Sequence, residues 1–190
     1  MKISKIILLI FMFSGLMFFN GCDELENFEL NIPLEIYPPT ISGDDAADAS
    51  ETVEFCLNQF EEWNDNKDKI VKAEYLDAAY WTIDYSPTEI RGTLSFTLYD
   101  RSGGFLVGGS LPDVSPGDYM MGGKALKIVI PQEQIDDFNA YLKEIRNSED
   151  PECFNPSFTA VASVSNITGT TGTYSIDCKI EIVLKVEVEP

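Results

Sequence analysis

Histidine is absent from the 190 residues of this sequence. Without an imidazole, the Ser-His-Asp and Cys-His arrangements of nucleophilic hydrolases cannot form, and neither can a histidine-ligated zinc site. An enzyme built on this chain would depend on carboxylates, as a glycosidase does with two acids facing each other across a cleft. Acidic residues are so numerous here that their presence alone does not indicate a carboxylate-dependent active site. We therefore predict no catalytic residue and no cofactor.

Basic residues are scarce. The sequence has 13 Lys and Arg against 32 Asp and Glu, a formal net charge of −19. Nucleic acids and flat anionic membranes are both bound by clustered Lys and Arg, so the composition argues against nucleic acid as a partner and against flat adsorption to anionic lipid. Hydrophobic residues make up 44% of the chain and aromatic residues 12%. This content excludes a disordered acidic tail and is enough for one domain with a substantial core.

Long hydrophobic runs are also lacking, apart from one near the start. Lys2 and Lys5 precede an apolar stretch from Ile6 to Phe19. The stretch is shorter than the ~20 apolar residues that a membrane-spanning helix needs. It also lacks the polar stripe of an amphipathic helix. Positive charges, a short apolar run and a small residue after it are typical of a secretory signal, so we predict a signal peptide over residues 1–21.

Gly21 and Cys22 close this run. Their order resembles the lipobox of bacterial lipoproteins, in which a small residue precedes a cysteine that is lipidated and becomes the new N-terminus. Phe19 and Asn20 differ from the residues usual at those two positions. The resemblance implies cleavage after Gly21, acyl chains such as palmitate on Cys22, and anchoring made stable by more than one chain. Residues 22–27 would then be a lipidated tether.

The acidic stretch Asp23-Glu24-Leu25-Glu26 follows the cysteine. It resembles the surface-export signal of lipoproteins of the Bacteroidota, and the alternative is a hydrated tether. Together with the lipobox, it implies a protein of the cell envelope attached to a membrane through Cys22. The outer membrane is the expected location, and display on the cell surface is the further alternative.

Three cysteines remain after the predicted cleavage, an odd number that allows at most one disulfide and one free thiol. Cys178 falls on the apolar side of the last predicted strand, where it would be a small buried hydrophobic residue. Cys56 and Cys153 are therefore the candidate disulfide pair. Cys56 is expected among outward-facing positions and Cys153 in a loop.

Alternation of apolar and polar residues predicts half-buried strands over residues 28–36 and 174–189. Pro33 cannot donate a hydrogen bond to a neighbouring strand, so the first strand is predicted at a sheet edge. The last strand is predicted to pair in a closing hairpin with residues 158–165. Further strands are predicted at residues 53–57, 70–85, 90–98, 105–107 and 125–130, with loops over 38–50 and 108–123.

Residues 70–85 form the longest predicted strand, with Trp81 and Tyr85 on its core face and Tyr80 pointing outward. Asp77 interrupts the alternation and predicts a β-bulge at residues 76–78. Aromatic residues on the surface would offer a stacking platform for sugars, although burial is the expected fate of Trp81 and Tyr85. The aromatic residues considered for this platform are Trp63, Tyr80, Trp81, Tyr85 and Tyr99.

One helix is predicted after Pro131, where Ile135, Phe138, Leu142 and Ile145 recur at helical spacing. Many short strands, regular turns and one packed helix indicate a mainly β fold. We predict an antiparallel β-sandwich of about eight strands with one packed amphipathic helix over residues 28–190.

Oxygen-bearing side chains cluster at Asn64, Asp65, Asn66 and Asp68, the donor type that calcium prefers. Lys67 interrupts the cluster, and the glycine and the terminal glutamate of an EF-hand loop are missing. We predict a solvated loop and no metal, with this cluster as the weak calcium candidate.

The sequence thus predicts an envelope-anchored lipoprotein with a non-enzymatic binding or structural accessory role. A carrier of an apolar ligand is the first alternative, and it requires a cavity lined by Phe, Leu and Ile between sheets and helix. A carboxylate-dependent enzyme such as a glycosidase is the second. Whether the partner beyond the membrane is a protein, a glycan or an apolar ligand stays open.

Overall fold

Two antiparallel sheets packed face to face make up the computed structural model, which describes residues 27–146, 150 and 152–190. The predicted β-sandwich with one longer helix is confirmed. The strands are β1 Phe28–Ile36, β2 Ile41–Gly43, β3 Ala49–Phe55, β4 Ile70–Ser86, β5 Arg91–Asp100, β6 Phe105–Val114, β7 Leu126–Lys127, β8 Phe158–Thr168 and β9 Tyr174–Val188. The helices are α1 Glu61–Asn66 and α2 Gln132–Ile145, with short 3-10 segments at Leu57–Gln59 and Pro116–Tyr119. The predicted signal peptide, Gly21 and Cys22 lie outside the described residues.

The order of the strands is that of a jelly roll. One sheet runs β1-β9-β4-β7, with β2 also paired to β9, and the other runs β3-β8-β5-β6. Strands that follow each other in the chain, such as β3 and β4 or β4 and β5, therefore alternate between the sheets. β1 and β2 pair with successive parts of β9 and occupy one strand position, so the nine strands fill the eight positions of a jelly roll, which consists of two Greek keys.

The predicted closing hairpin is wrong, because β8 and β9 belong to different sheets. Both strands bury every second residue, as predicted. Strands with one buried face can satisfy this pattern by facing each other across the core as well as by pairing side by side. The period of two therefore identifies the strands and leaves their partners undetermined.

β9 forms the centre of its sheet, between β1 and β4. Its inward residues are all buried, as predicted: Tyr174, Ile176, Cys178, Ile180, Ile182, Leu184, Val186 and Val188. β1 lies at the edge of the sheet, which confirms the prediction from Pro33. Its residues Ile32, Leu34 and Ile36 are buried, whereas Phe28 at its start is exposed.

β4 contains the predicted bulge, since its register with β9 shifts between Tyr75 and Asp77. The bulge reverses the two faces of the strand beyond it, because one extra residue exchanges inward and outward positions. Tyr80 is buried and Trp81 lies on the outer face. The predicted orientations of Tyr80 and Trp81 are therefore wrong, although the bulge that changes them was predicted. A further register shift, between Thr82 and Asp84, returns Tyr85 to the core face, where it was predicted.

Two predicted loops contain strands. β2 lies within the predicted loop over residues 38–50, and β6 continues to Val114 through the glycines of the predicted loop over 108–123. Gly109 is needed there, because a Cβ atom would lie 2.8 Å from the side chain of Ile128. The predicted strand at residues 125–130 is reduced to Leu126–Lys127.

α2 packs against β4 and β6, with Phe138, Leu142 and Ile145 buried as predicted. Tyr141, which the helical pattern did not select, is also buried, and its hydroxyl donates to the carbonyl of Ser157 at 2.7 Å. No helix in the described part of the chain is long and apolar enough to span a membrane.

Candidate functional site

A groove of about 570 Å³ runs along one side of the sandwich, where the edge strand β1 faces the edge strand β3 of the other sheet. Its volume falls within the roughly 300–1,000 Å³ typical of ligand sites. The segment from Gln59 into α1 forms its third wall. The lining residues are Pro33, Glu35, Ile36, Tyr37, Val53, Glu54, Phe55, Gln59, Phe60, Glu61 and Glu62.

The groove lies beside two strands that pair on one side only. β1 is hydrogen-bonded to β9, β3 is hydrogen-bonded to β8, and the other side of each strand faces the groove. A strand edge presents unpaired N–H and C=O groups that an added strand can use. The groove therefore combines side-chain surface with backbone hydrogen-bonding groups.

The third wall is held in place by a disulfide and by aromatic packing. Cys56 and Cys153, the predicted candidate pair, are joined with their sulfur atoms 2.02 Å apart. Cys56 is buried, so the expected outward position is wrong: the chain turns inward as it leaves β3. Phe60 packs edge to face on Phe55, with ring centroids 5.7 Å apart, and Trp63 of α1 is buried in the core.

Glu35 is the most strongly held carboxylate of the groove. Its Oε1 accepts a hydrogen bond from Lys179 Nζ at 2.9 Å, and its Oε2 accepts one from the Tyr37 hydroxyl at 2.9 Å. The hydrogen bond from Lys179, and after it the one from Tyr37, holds the pKa of Glu35 below its ordinary value. Glu35 is therefore a fixed anion, whereas a general acid needs a raised pKa.

Lys179 is itself almost completely buried, on the outer face of β9. Its Nζ also lies 2.9 Å from Oε2 of Glu181 and 4.4 Å from the centroid of the Trp81 ring. Burial alone lowers the pKa of Lys179, but the hydrogen bonds with Glu35 and Glu181 outweigh it and raise the pKa. The lysine thus has the partners that a buried charge requires.

The other walls of the groove add negative charge and apolar surface. Glu54, Glu61 and Glu62 are exposed, and the eleven described lining residues include no lysine or arginine. Apolar surface comes from Tyr37 and Phe60 among others. Carboxylates beside aromatic rings suit an ammonium or guanidinium group carried on an apolar stem.

The space between the sheets is far smaller, about 20 Å³ at a site lined by Tyr80, Phe96, Ile128 and Cys178 among others. That is room for about one water molecule. Cys178 is buried here, and burial raises the pKa of its thiol to about 12. Its place matches the predicted small buried hydrophobic residue, and the thiol is neutral and unreactive.

The calcium candidates lie in and directly after α1. The side-chain oxygen of Asn64 accepts from Lys67 Nζ at 2.9 Å, and the Asn66 amide donates to the carbonyl of Glu62 at 2.8 Å. Asp65 and Asp68 are exposed. Within residues 27–146, 150 and 152–190, no group of three or more His, Cys, Asp and Glu side chains is placed to hold a metal ion.

The aromatic residues considered as a sugar platform are dispersed. Trp63 and Tyr80 are buried in the core, and Trp81 is covered by Lys179. Tyr99 packs against Phe105 with ring centroids 6.4 Å apart. The structure brings the members of this set to different places and does not present them as one surface.

No protein-family model matches the chain, and no curated protein matches it. Among solved structures it is similar to a chain of Cocksfoot mottle virus, at 8% identity and a TM-score of 0.41, over 87% of this chain and 85% of that chain. It is also similar to a chain of tobacco necrosis virus, at 13% identity and a TM-score of 0.36, over 84% of this chain and 95% of that chain. At this level of similarity nothing follows about a ligand or a partner.

Proposed function

We propose that this protein is a lipoprotein anchored in a bacterial envelope membrane, and that its β-sandwich binds basic, extended segments of partner proteins. The anchoring part of the proposal is supported by residues 1–22, which resemble a signal peptide followed by a lipobox. The binding part is supported by the groove between β1 and β3. No catalytic step is part of the proposed role.

The observation that carries the binding role is the meeting of four glutamates and two strand edges in one groove: Glu35, Glu54, Glu61 and Glu62 line it together with the free sides of β1 and β3. An extended peptide can add to a sheet edge through its backbone, while alternate side chains enter neighbouring pockets. The carboxylates favour Lys and Arg in those side chains, and Phe60 and Tyr37 contact their apolar stems.

The alternative roles have less support. A carrier of an apolar ligand needs a cavity lined by Phe, Leu and Ile between sheets and helix. The space between the sheets has room for about one water. The hollow of about 360 Å³ beside α2 contains no Phe, Leu or Ile in its described lining, which is Val71, Lys72, Ala73, Glu74, Asn139, Ala140, Lys143 and Arg146. A carboxylate-dependent enzyme needs an acid with a raised pKa, and Glu35 in the groove has a lowered one. The binding role therefore fits the groove better than either alternative.

The experiment uses short peptides that alternate lysine with valine, glutamate with valine, or serine with valine. We expect only the lysine peptide to bind, with an affinity that falls as salt is added, because ionic attraction is screened. Changing Glu54, Glu61 and Glu62 together to glutamine should reduce this binding at least tenfold. Isothermal titration calorimetry measures the affinities.

The matched control changes Glu89 and Glu133 to glutamine and Asp137 to asparagine, three exposed acids outside the groove. It removes the same net charge and should leave the affinity within about twofold of the parent protein, since distant exposed charges act only weakly through solvent. Equal losses in the two triple variants would show non-specific attraction and overturn the proposal. Mass spectrometry of the mature N-terminus tests lipidation of Cys22 separately.

A further inference from the structure

Basic side chains line the hollow beside α2, although the chain has only 13 Lys and Arg against 32 Asp and Glu. The hollow measures about 360 Å³ and lies between the second half of α2 and the first residues of β4. Three of its eight described lining residues are basic, Lys72, Lys143 and Arg146, and one, Glu74, is acidic. Three positive charges and one negative charge give this hollow a net charge of +2 in a chain of −19.

α2 brings three polar side chains to the hollow from one stripe of its surface. Asn139, Lys143 and Arg146 follow each other at intervals of four and three residues, which places them on the same side of a helix. The buried residues Phe138 and Leu142 each precede a member of this stripe and face the core. The stripe therefore borders the packed side of α2, where the helix meets β4.

The guanidinium of Arg146 is the observation that points to a ligand. Its Nε is buried and has no hydrogen-bond partner within the described part of the chain. A buried donor without an acceptor destabilises a folded protein. Attraction to the negative end of α2 accounts for basic residues at Lys143 and Arg146, but it does not require a buried, unpaired Nε. An anion in the hollow would supply the missing acceptor.

Two uncharged donors stand beside the basic side chains. The Oδ1 of Asn139 accepts a hydrogen bond from the Tyr75 N–H at 2.7 Å, so the amide nitrogen of Asn139 keeps both of its hydrogens for another acceptor. The Tyr75 N–H thus points away from β9. Because the register of β4 with β9 is regular from Lys72 to Tyr75 and backbone groups alternate along a strand, the N–H of Ala73 points the same way, towards the hollow that Ala73 lines.

The acidic residues around the hollow neutralise one of its three cations. Lys72 Nζ lies 2.8 Å from Oε1 of Glu74, and Glu187 is opposite Lys72 on β9. On α2, Asp136 accepts from the Gln132 amide at 2.9 Å. Glu144 directly follows Lys143 and is turned about 100° from it around the helix. Neither Asp136 nor Glu144 is among the described lining residues, so the charges of Lys143 and Arg146 are left for a ligand.

We propose that the hollow beside α2 binds a small phosphate monoester. Such a group carries about −1.5 to −2 charges at pH 7, which matches the lining. The planar guanidinium of Arg146 fits two phosphate oxygens at once, and Lys143 supplies the second cation. Val71, Ala73 and Ala140 offer carbon surface to the organic part of the ester, in a volume typical of small-molecule sites. The inference depends neither on the groove between β1 and β3 nor on the anchoring through Cys22.

The test titrates the unlipidated protein with glycerol 3-phosphate, glycerol and succinate by isothermal titration calorimetry at pH 7.5 and physiological salt. Salt at this level screens the repulsion between the anions and the acidic surface of the protein. We expect one glycerol 3-phosphate to bind per chain and glycerol not to bind. Succinate has a similar charge but carries it on two separate carboxylates, so it should bind more weakly.

Two variants test the cations, and a third is the matched control. Arg146→Lys keeps the charge and loses the planar pair of donors, so it should weaken binding of glycerol 3-phosphate by about tenfold. Lys143→Met should weaken it by a similar factor. Lys124→Met removes the same charge from an exposed lysine outside the hollow and should leave the affinity within about twofold of the parent protein.

Arg146→Met separates binding from stability. It removes the buried, unpaired Nε, so without ester its melting temperature should equal or exceed that of the parent protein, while binding is lost. A lower melting temperature together with retained binding would give Arg146 a purely structural role and overturn the inference. No binding of glycerol 3-phosphate to the parent protein, tighter binding of succinate, or equal losses in Lys143→Met and Lys124→Met would also overturn it.

A phosphate monoester can belong to a soluble molecule or to a lipid headgroup, and vesicles distinguish the two sources. Phosphatidic acid in phosphatidylcholine vesicles carries the same group as glycerol 3-phosphate. Retention of the unlipidated protein on these vesicles, lost in Arg146→Lys, would identify a lipid ligand. Binding of glycerol 3-phosphate without retention on the vesicles supports a soluble ester, which is the result we expect from so acidic a protein.

Discussion

The interior of the sandwich and the groove at its side are built from the same kinds of strand and have opposite properties. Between the sheets, the space at Phe96 and Cys178 is about 20 Å³, whereas the groove measures about 570 Å³. The interior is enclosed chiefly by strands paired on both sides, and the groove lies between two strands paired on one side. The larger of these two spaces thus lies between strands that are paired on one side only.

The interior site and the groove also differ in the charge of the residues that line them. The described residues that line the interior site are apolar apart from Ser95 and Ser163, the Tyr80 hydroxyl and the neutral Cys178 thiol, while the groove has four glutamates. Dense packing of apolar side chains stabilises the fold, and it leaves no room for a ligand. Substitutions inside should therefore affect stability, whereas substitutions in the groove should affect binding.

The largest expected effect tests the interior. Ile182 is fully buried in the centre of β9, opposite Leu34 and Ala78. Ile182→Asp buries an unpaired charge at a cost of several kcal/mol, a large part of the ~5–15 kcal/mol that stabilises a domain. The variant should be unfolded at 25 °C by circular dichroism.

The neighbouring substitution Glu181→Gln is the control, since Glu181 faces outward and Lys179 keeps its hydrogen bond with Glu35. Its melting temperature should stay close to that of the parent protein. Equal sensitivity at positions 181 and 182 would contradict the register of β9 described above.

The sequence predicts the interior far better than the groove. The strict alternation of β9 identifies its buried residues without any knowledge of its neighbours, because burial of one face depends only on local spacing. The groove depends on β1 and β3 being the edges of different sheets. That is a property of strand order, which no periodicity in a single strand contains.

β4 and Lys179 show the same limit at the level of single residues. The bulge at Leu76 was predictable from Asp77, but its effect on Trp81 depends on how many residues it inserts. Lys179 between Cys178 and Ile180 is an ordinary outward lysine in the sequence. Its pairing with Glu35 exists only because β1 lies beside β9 in one register.

An intermediate effect is expected at the disulfide, which connects the third wall of the groove to the loop before β8. Cys56 and Cys153 are 97 residues apart in sequence. A cross-link over a loop of about 100 residues stabilises by up to ~4.7 kcal/mol through restriction of the unfolded chain. Changing both cysteines to alanine should therefore lower the free energy of unfolding by about 2–5 kcal/mol in urea titrations.

Reductant separates this effect from changes in packing. Adding reductant should lower the urea midpoint of the parent protein towards that of the Cys56→Ala, Cys153→Ala variant. It should leave the midpoint of that variant unchanged. A parent protein whose midpoint is the same with and without reductant would show that the cross-link adds no stability. Lysine-peptide binding, measured on the folded fraction, then reports whether the disulfide also shapes the groove.

The smallest expected effect is that of Glu35→Gln in the groove wall. The Glu35 side chain is 45% exposed, so its ion pair with Lys179 is screened by solvent and contributes about 0–1 kcal/mol at neutral pH. The folded state lowers the pKa of Glu35 from its ordinary value of 4.5. This contribution is therefore fully present above pH 4.5 and is lost as the pH falls through the lower, folded-state pKa.

The stability difference between Glu35→Gln and the parent protein should accordingly disappear in acid, while the variant keeps its fold. Urea titrations from pH 7 down to pH 3 measure it. If the parent protein instead gains stability relative to the variant as the pH falls, the pKa of Glu35 is raised. Glu35 would then again be a candidate general acid of a carboxylate-dependent enzyme. A difference that shrinks leaves Glu35 as a fixed anion, whose removal should weaken binding of the lysine peptide more than it weakens the fold.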